Sequence, residues 1–333
     1  MQTNIELESA LLSVRPAKGR SPSIFVRVRS GARFAFVLTL LACGSGPDDA
    51  PRADAPGIAA QESPSSDDAQ LPTGVLPPIT DPGAKGPYAI QVQQNLEGLS
   101  THILIAPREL GRDGVKHPVV VWVNGAGQGS SAYRAMLDNV AAHGFFLLDD
   151  KQSTFDVAPE VTAQRAAIDW AIVQAQKVGG PYYGKIDPTR IAIAGQSLGS
   201  VSTWGNVGDR RIKTSVHIAG GLLGNPQRVD EGWIKGMHAP AAFLCGDRDT
   251  NGLPRVRRDF DGAPPTVPVY FGLLAGVGHT DEFTKPNGGR WGRVVVAWLR
   301  WQLAGDTTFA KSFQGTSCEF CKGDWTAKKR GID

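Results

Sequence analysis

The chain has 333 residues, 41% of them hydrophobic and 20% charged, with a formal net charge of +3; this fits one large globular domain with appendages and excludes tail-like or collagen-like chains. Charge is unevenly spread: six Lys/Arg face two Asp/Glu in residues 1–42, one faces seven in 43–83, and a net of about +5 is left for 84–333. That modest excess contains no block of like charge, so nucleic acid is not an expected partner.

Residues 1–42 read as a targeting signal. Arg27, Arg29 and Arg33 precede an apolar run over residues 34–42, which is too short to span a bilayer and has the layout of a signal h-region. Cys43 follows at once. Leu40-Leu41-Ala42-Cys43 resembles a bacterial lipobox, and the resemblance implies lipidation of the Cys43 sulfur and a place in the bacterial cell envelope, with the N-terminal lipid as the membrane contact. An ordinary secretory signal, cut at a small residue, is the alternative. Residues before about Ser21 are superfluous for either signal, which places the expected translation start further downstream.

Residues 43–85 are rich in Pro, Ala, Asp, Ser and Gly, as in Pro64-Ser65-Ser66-Asp67-Asp68. With few large apolar side chains to offset the entropy of ordering, this stretch is expected to be a flexible acidic tether. The pattern changes at Gly86, and residues 86–333 are expected to form the folded domain. Strand-like runs occur at 102–105, 119–123, 145–148, 191–193, 241–244 and 269–273, alternating with helix-like stretches such as 131–142, 159–177 and 293–303. Continuous apolar strands alternating with helices predict an α/β fold: a mostly parallel central sheet covered by helices on both faces.

The run that ends in Gly195-Gln196-Ser197-Leu198-Gly199 has the Gly-x-Ser-x-Gly spacing of a nucleophile elbow. In such an elbow, a sharp strand-to-helix turn lifts a serine oxygen out of the sheet. The Leu198 backbone N–H, at the start of the following helix, is then a candidate oxyanion donor. A serine hydroxyl is a weak nucleophile at neutral pH, so the elbow calls for a histidine base and an orienting carboxylate, in the chain order serine, acid, histidine. His279, in Gly276-Val277-Gly278-His279-Thr280, is the histidine downstream of a plausible acid loop; His102, His117, His143, His217 and His238 lie upstream. Gly246-Asp247-Arg248-Asp249 offers two acids. Asp249 is favoured because it stands further past the strand end, where the loop can reach across to His279, and Asp247 is the alternative, otherwise a turn carboxylate. Asn124-Gly125-Ala126-Gly127-Gln128 follows the 119–123 run, and its Ala126 N–H is the expected second oxyanion donor.

In an exported protein, Cys318-Glu319-Phe320-Cys321 is expected to close a small disulfide loop. A redox-active pair is the alternative, and zinc would need two more ligands than the neighbourhood supplies. Cys245 reads as a buried free thiol.

Taken in order, Gly86-Pro87-Tyr88, the Asn124-Gly125 loop, Ala142-His143-Gly144-Phe145, the Gly195-to-Gly199 elbow, the Gly246-to-Asp249 loop and Gly278-His279 resemble the α/β-hydrolase superfamily. Within it they are similar to the polyesterase, lipase and cutinase branch, which includes bacterial cutinases and polyethylene-terephthalate hydrolases. The resemblance covers roughly residues 84–325 and implies an α/β-hydrolase fold and ester hydrolysis by Ser197, His279 and Asp249. Two departures touch the substrate. Polyester-cleaving members usually carry an aromatic residue after the oxyanion-loop glycine, where this chain has Ala126, and another before the serine or on the loop after the next strand, where it has Gln196 and Ala219-Gly220-Gly221.

The expectation is therefore a secreted or lipid-anchored serine esterase, monomeric, acting on small or polymeric carboxylic esters without metal or organic cofactor. Acetyl-ester cleavage on xylan is the alternative enzyme reading. From another class, the alternative is a catalytically inactive binding lipoprotein on the same scaffold.

Overall fold

The computed structural model describes residues 74–227 and 229–333. The signal sequence, Cys43 and the tether up to residue 73 lie outside the described residues. In chain order the strands are β1 (Ile90–Gln93), β2 (His102–Pro107), β3 (His117–Val123), β4 (Phe146–Asp150), β5 (Ile186–Gln196), β6 (Ile212–Ile218), β7 (Ala241–Gly246), β8 (Val269–Leu274) and β9 (Trp325–Arg330). Five α-helices connect them: α1 (Arg134–Ala142), α2 (Val157–Gln176), α3 (Leu198–Thr203), α4 (Leu253–Gly262) and α5 (Gly289–Gln302).

The strands form a nine-stranded sheet in the order β1-β2-β4-β3-β5-β6-β7-β8-β9. From β4 to β8 neighbouring strands are parallel. The pairs β1–β2, β2–β4 and β8–β9 are antiparallel. The fold is thus α/β with a mostly parallel sheet.

Strand alternation divides the interior into two cores. Val120 and Trp122 of β3, Ala192 and Ala194 of β5, and Ala242 and Leu244 of β7 share one cluster with Met136 and Val140 of α1 and Val294 and Trp298 of α5. Their neighbours Val119, Val121, Ile191, Ile193, Ala241 and Phe243 share the other with Ile168 and Ala171 of α2 and Val256 and Phe260 of α4. Successive strand side chains point to opposite faces, so a strand apolar at every position must be covered on both sides.

The connection from β3 leads through α1 to β4 on one side, and the chain then crosses to β5 on the other. In open parallel sheets such a reversal of strand order opens a crevice at the carboxyl ends of the flanking strands. Here those ends are followed by Asn124 and Ser197.

The folded body begins before Gly86, which corrects the expected tether boundary. Gly74 bridges to Val115. Pro77 accepts a hydrogen bond from Arg300 Nη2 at 2.8 Å, Asp81 pairs with Arg293, and Gly83 accepts from Asn287 Nδ2 at 3.1 Å. These polar contacts to α5 and the turn before it order a segment whose composition alone reads as loose. At the other end Cys318 and Cys321 form a disulfide beside a cluster of rings that includes Trp298, Phe313, Phe320 and Trp325.

Candidate active site

Ser197 stands between β5 and α3 with φ 53° and ψ −119°, a strained backbone for a residue with a side chain. Both flanking glycines are required by contact: a Cβ on Gly195 would run into the backbone of Gly199, and one on Gly199 into the Val123 carbonyl. The turn can therefore pack directly against the end of β3.

The structure brings Ser197, His279 and Asp249 together. His279 follows β8, and its Nε2 lies 2.8 Å from Ser197 Oγ. Its Nδ1 lies 2.8 Å from Asp249 Oδ2. A carboxylate can only accept, so the network places the ring proton on Nδ1 and leaves Nε2 to accept from the serine hydroxyl. Asp249 is 2% exposed. Burial alone would raise its carboxyl, but bonds from His279 and from the Gly252 N–H outweigh that and hold it below the ordinary value.

Asp249 also accepts from the Asn251 and Gly252 N–H groups, at 3.1 and 2.8 Å. Neither Asn251 nor Gly252 is among the expected site residues. Their signal is Asp249-Thr250-Asn251-Gly252, the composition of an Asx-turn that fixes the carboxylate by its own loop. Asp247 is exposed and takes the Gly276 N–H at 2.7 Å; the imidazole contact belongs to Asp249. Cys245 is free and buried. Burial first, and the adjacent Asp249 charge second, push its thiol far above the ordinary value, which keeps it neutral beside the site.

The loop after β3 is held from below. Asn124 donates its N–H to Asp150 Oδ1 at 2.9 Å and its Nδ2 to the Asp150 carbonyl at 2.6 Å, while Trp122 Nε1 donates to Asn124 Oδ1 at 2.9 Å. Further on, Gly127 N–H bonds the Thr154 carbonyl at 3.0 Å, and Gln128 N–H bonds that of Gly125 at 2.9 Å. Between them the Ala126 N–H has no protein partner among the described residues, and the Leu198 N–H has none either. Ala126 and Leu198 line one cleft of about 230 Å3 with Ser197 and His279.

Beside it lies an open groove of about 680 Å3, walled by Phe155, Val157, Val229 and Trp233, which shares Gln227 with the cleft. A small apolar cluster of Val157, Leu198 and Val201, with Ala126 and Trp233 packed against it, joins the two. Phe155 is 73% exposed, so its ring presents an apolar face at the edge of this groove.

The remaining histidines have other work. His117 and His143 bond the backbone carbonyls of Gly144 and Asn139, His238 that of Asp209, His217 the Ser215 hydroxyl and His102 the Thr101 hydroxyl. Trp204 and Trp291 are core residues, whereas Trp233 lies in the groove. Among the described residues no group of three or more His, Cys, Asp or Glu side chains is placed to hold a metal ion, and no helix is long and apolar enough to cross a membrane. No protein-family model matches this chain, and no curated protein matches it in sequence.

Proposed function

We propose that this protein is a serine esterase of the α/β-hydrolase type that cleaves carboxylic esters through an acyl-enzyme. The observation that carries this reading is the hydrogen-bonded chain from Ser197 Oγ through His279 to Asp249, with both links at 2.8 Å. The reversal of strand order at β3 and the strained turn at Ser197 support the fold type.

In the proposed reaction His279 Nε2 takes the Ser197 proton as Oγ bonds to the substrate carbonyl carbon. The carbonyl oxygen becomes an oxyanion and accepts from the Ala126 and Leu198 N–H groups, which have no competing acceptor among the described residues. When the tetrahedral intermediate collapses, the ester C–O bond breaks and the alcohol leaves with the proton from His279. Water then gives a proton to His279 and attacks the acyl carbon, and a second collapse releases the acid and returns the proton to Ser197. Asp249 holds the ring in register and stabilises the imidazolium formed in each half.

The Phe155–Trp233 groove beside the cleft offers apolar surface that suits an ester with an apolar arm. Lipid attachment at Cys43, or plain secretion, would place the enzyme in the cell envelope or outside the cell, joined to the folded domain by the acidic segment.

Ser197→Ala is expected to lower hydrolysis of p-nitrophenyl butyrate by at least about 10³-fold while circular dichroism and Tm stay unchanged. Activity within twofold of the parent protein would overturn the reading and favour an inactive binding protein.

A further inference from the structure

Gln196 immediately precedes Ser197, and its side chain is only 1% exposed. A buried primary amide must find partners for both its carbonyl and its NH2 group. Gln196 Oε1 accepts from the Tyr133 hydroxyl at 2.6 Å. Its Nε2 donates to the backbone carbonyl of His279 at 2.9 Å. The Tyr133 oxygen in turn accepts the Gly125 N–H at 3.0 Å.

Donor and acceptor directions in this chain are forced. A backbone N–H can only donate, so Tyr133 spends its own proton on Gln196 Oε1. A backbone carbonyl can only accept, so the amide must turn Nε2 toward His279. The result is a continuous path from Gly125, beside Ala126, to the main chain of His279, passing through the residue before Ser197.

The path is also packed. The Tyr133 ring meets Trp122 at 5.3 Å and Phe283 at 5.1 Å, so it is clamped between β3 and the segment that follows His279. A Cβ on Gly125 would lie 2.5 Å from Gln196 Oε1 and 2.7 Å from the Tyr133 hydroxyl, so any side chain there would push on both partners of this bond.

We propose that Gln196 is a positioning residue. Through Tyr133 it holds the Asn124-Gly125 peptide, one unit before the Ala126 N–H, and through Nε2 it holds the His279 carbonyl, so that oxyanion donor and base keep one register about Ser197. This rests on reading Ser197 as the nucleophile and Ala126 as an oxyanion donor. The residue before Ser197 is here an amide that is hydrogen-bonded at both ends.

The test uses the whole folded protein and three variants, Gln196→Leu, Gln196→Glu and Tyr133→Phe, with p-nitrophenyl butyrate as substrate. Gln196→Leu and Tyr133→Phe are each expected to lower kcat about 10- to 100-fold with KM changed less than threefold, because the oxyanion contact is made in the transition state. The double variant should lose no more than the worse single one, since both cut the same path. In Gln196→Glu an ionised carboxylate accepts from Tyr133 but opposes the His279 carbonyl, whereas the protonated acid restores both bonds. Its activity relative to the parent should therefore rise as pH falls.

Overturning results are a kcat within twofold of the parent in both single variants, a loss carried by KM alone, additive losses, or a Gln196→Glu ratio independent of pH. Tyr133→Phe keeps the ring in its aromatic setting and decides the matter if Gln196→Leu does not fold. A parent protein without Ser197-dependent activity would count against the proposed function, and only differences among the variants count against the bridge.

Discussion

At the scale of single residues, two aspartates three positions or fewer beyond the end of β7 have separate duties. Asp247 closes a turn by taking the Gly276 N–H, and it is exposed. Asp249 is buried and aimed at His279 by its own Asx-turn. Removing a turn carboxylate from water-exposed surface costs little, whereas removing the imidazole partner leaves the ring free to rotate and to hold the wrong tautomer. Asp249→Ala is therefore expected to lower kcat by about 10³- to 10⁴-fold, and Asp247→Ala to stay within about threefold. Steady-state kinetics on the two variants checks this; the opposite ranking would exchange their roles. The pair was legible in the sequence because only an acid loop between the serine and His279 fits the order of the reaction. Its internal hydrogen bonds were not, because Asn251 and Gly252 carry no chemistry of their own.

At the scale of elements, the segment after β8 shows how the position of His279 is secured. Glu282 sits at φ 73° and is 7% exposed. It accepts from the Arg290 N–H at 2.9 Å, from Arg290 Nε at 3.0 Å and from Lys285 Nζ at 2.9 Å. Burial alone would raise its carboxyl, but the bonds from Arg290 prevail and hold it down at about 2, against an ordinary 4.5. A carboxyl depressed in the fold adds stability above its unfolded value and loses it as pH falls through the folded one. Glu282→Gln is expected to cost about 1–3 kcal/mol at pH 7, with the gap to the parent closing between pH 4.5 and 2. Urea denaturation at a series of pH values measures it; a gap unchanged at pH 3 would contradict the ion pair's contribution.

The same scale shows why some elements escaped the sequence. In β6 the residues Thr214, Ser215 and His217 break the apolar run, yet all three are buried because their polar groups are paired, as when Thr214 Oγ1 donates to the Pro240 carbonyl. The edge strand β9 is Trp325-Thr326-Ala327-Lys328-Lys329-Arg330, basic where an interior strand would be apolar, a composition that suits an unprotected sheet edge. Helix α4 was readable in principle from Leu253, Val256 and Phe260, which recur at helical spacing around charged residues. Helix α5 starts at Gly289, four residues before the expected Arg293, since Gly288 at φ 79° caps it rather than breaking it.

For the molecule as a whole, the order of strands places the ends of β3 and β5 side by side, and the loops after β7 and β8 reach back to the same point. This convergence explains how residues 30 and 82 positions apart come to share a proton path. The continuous apolar runs made the parallel centre of the sheet legible, because strands covered on both faces have no polar alternative. That residues 74–85 belong to the folded body was not legible, since Pro77, Asp81 and Gly83 are held by distant partners on α5 and the turn before it. In the proposed function this architecture makes Ser197 a nucleophile. Intact-mass analysis after treatment with a fluorophosphonate is the decisive measurement. One phosphonyl adduct is expected on the parent protein, located at Ser197 by peptide mapping and absent from Ser197→Ala; an unlabelled parent, or an adduct that persists in the variant, would contradict it.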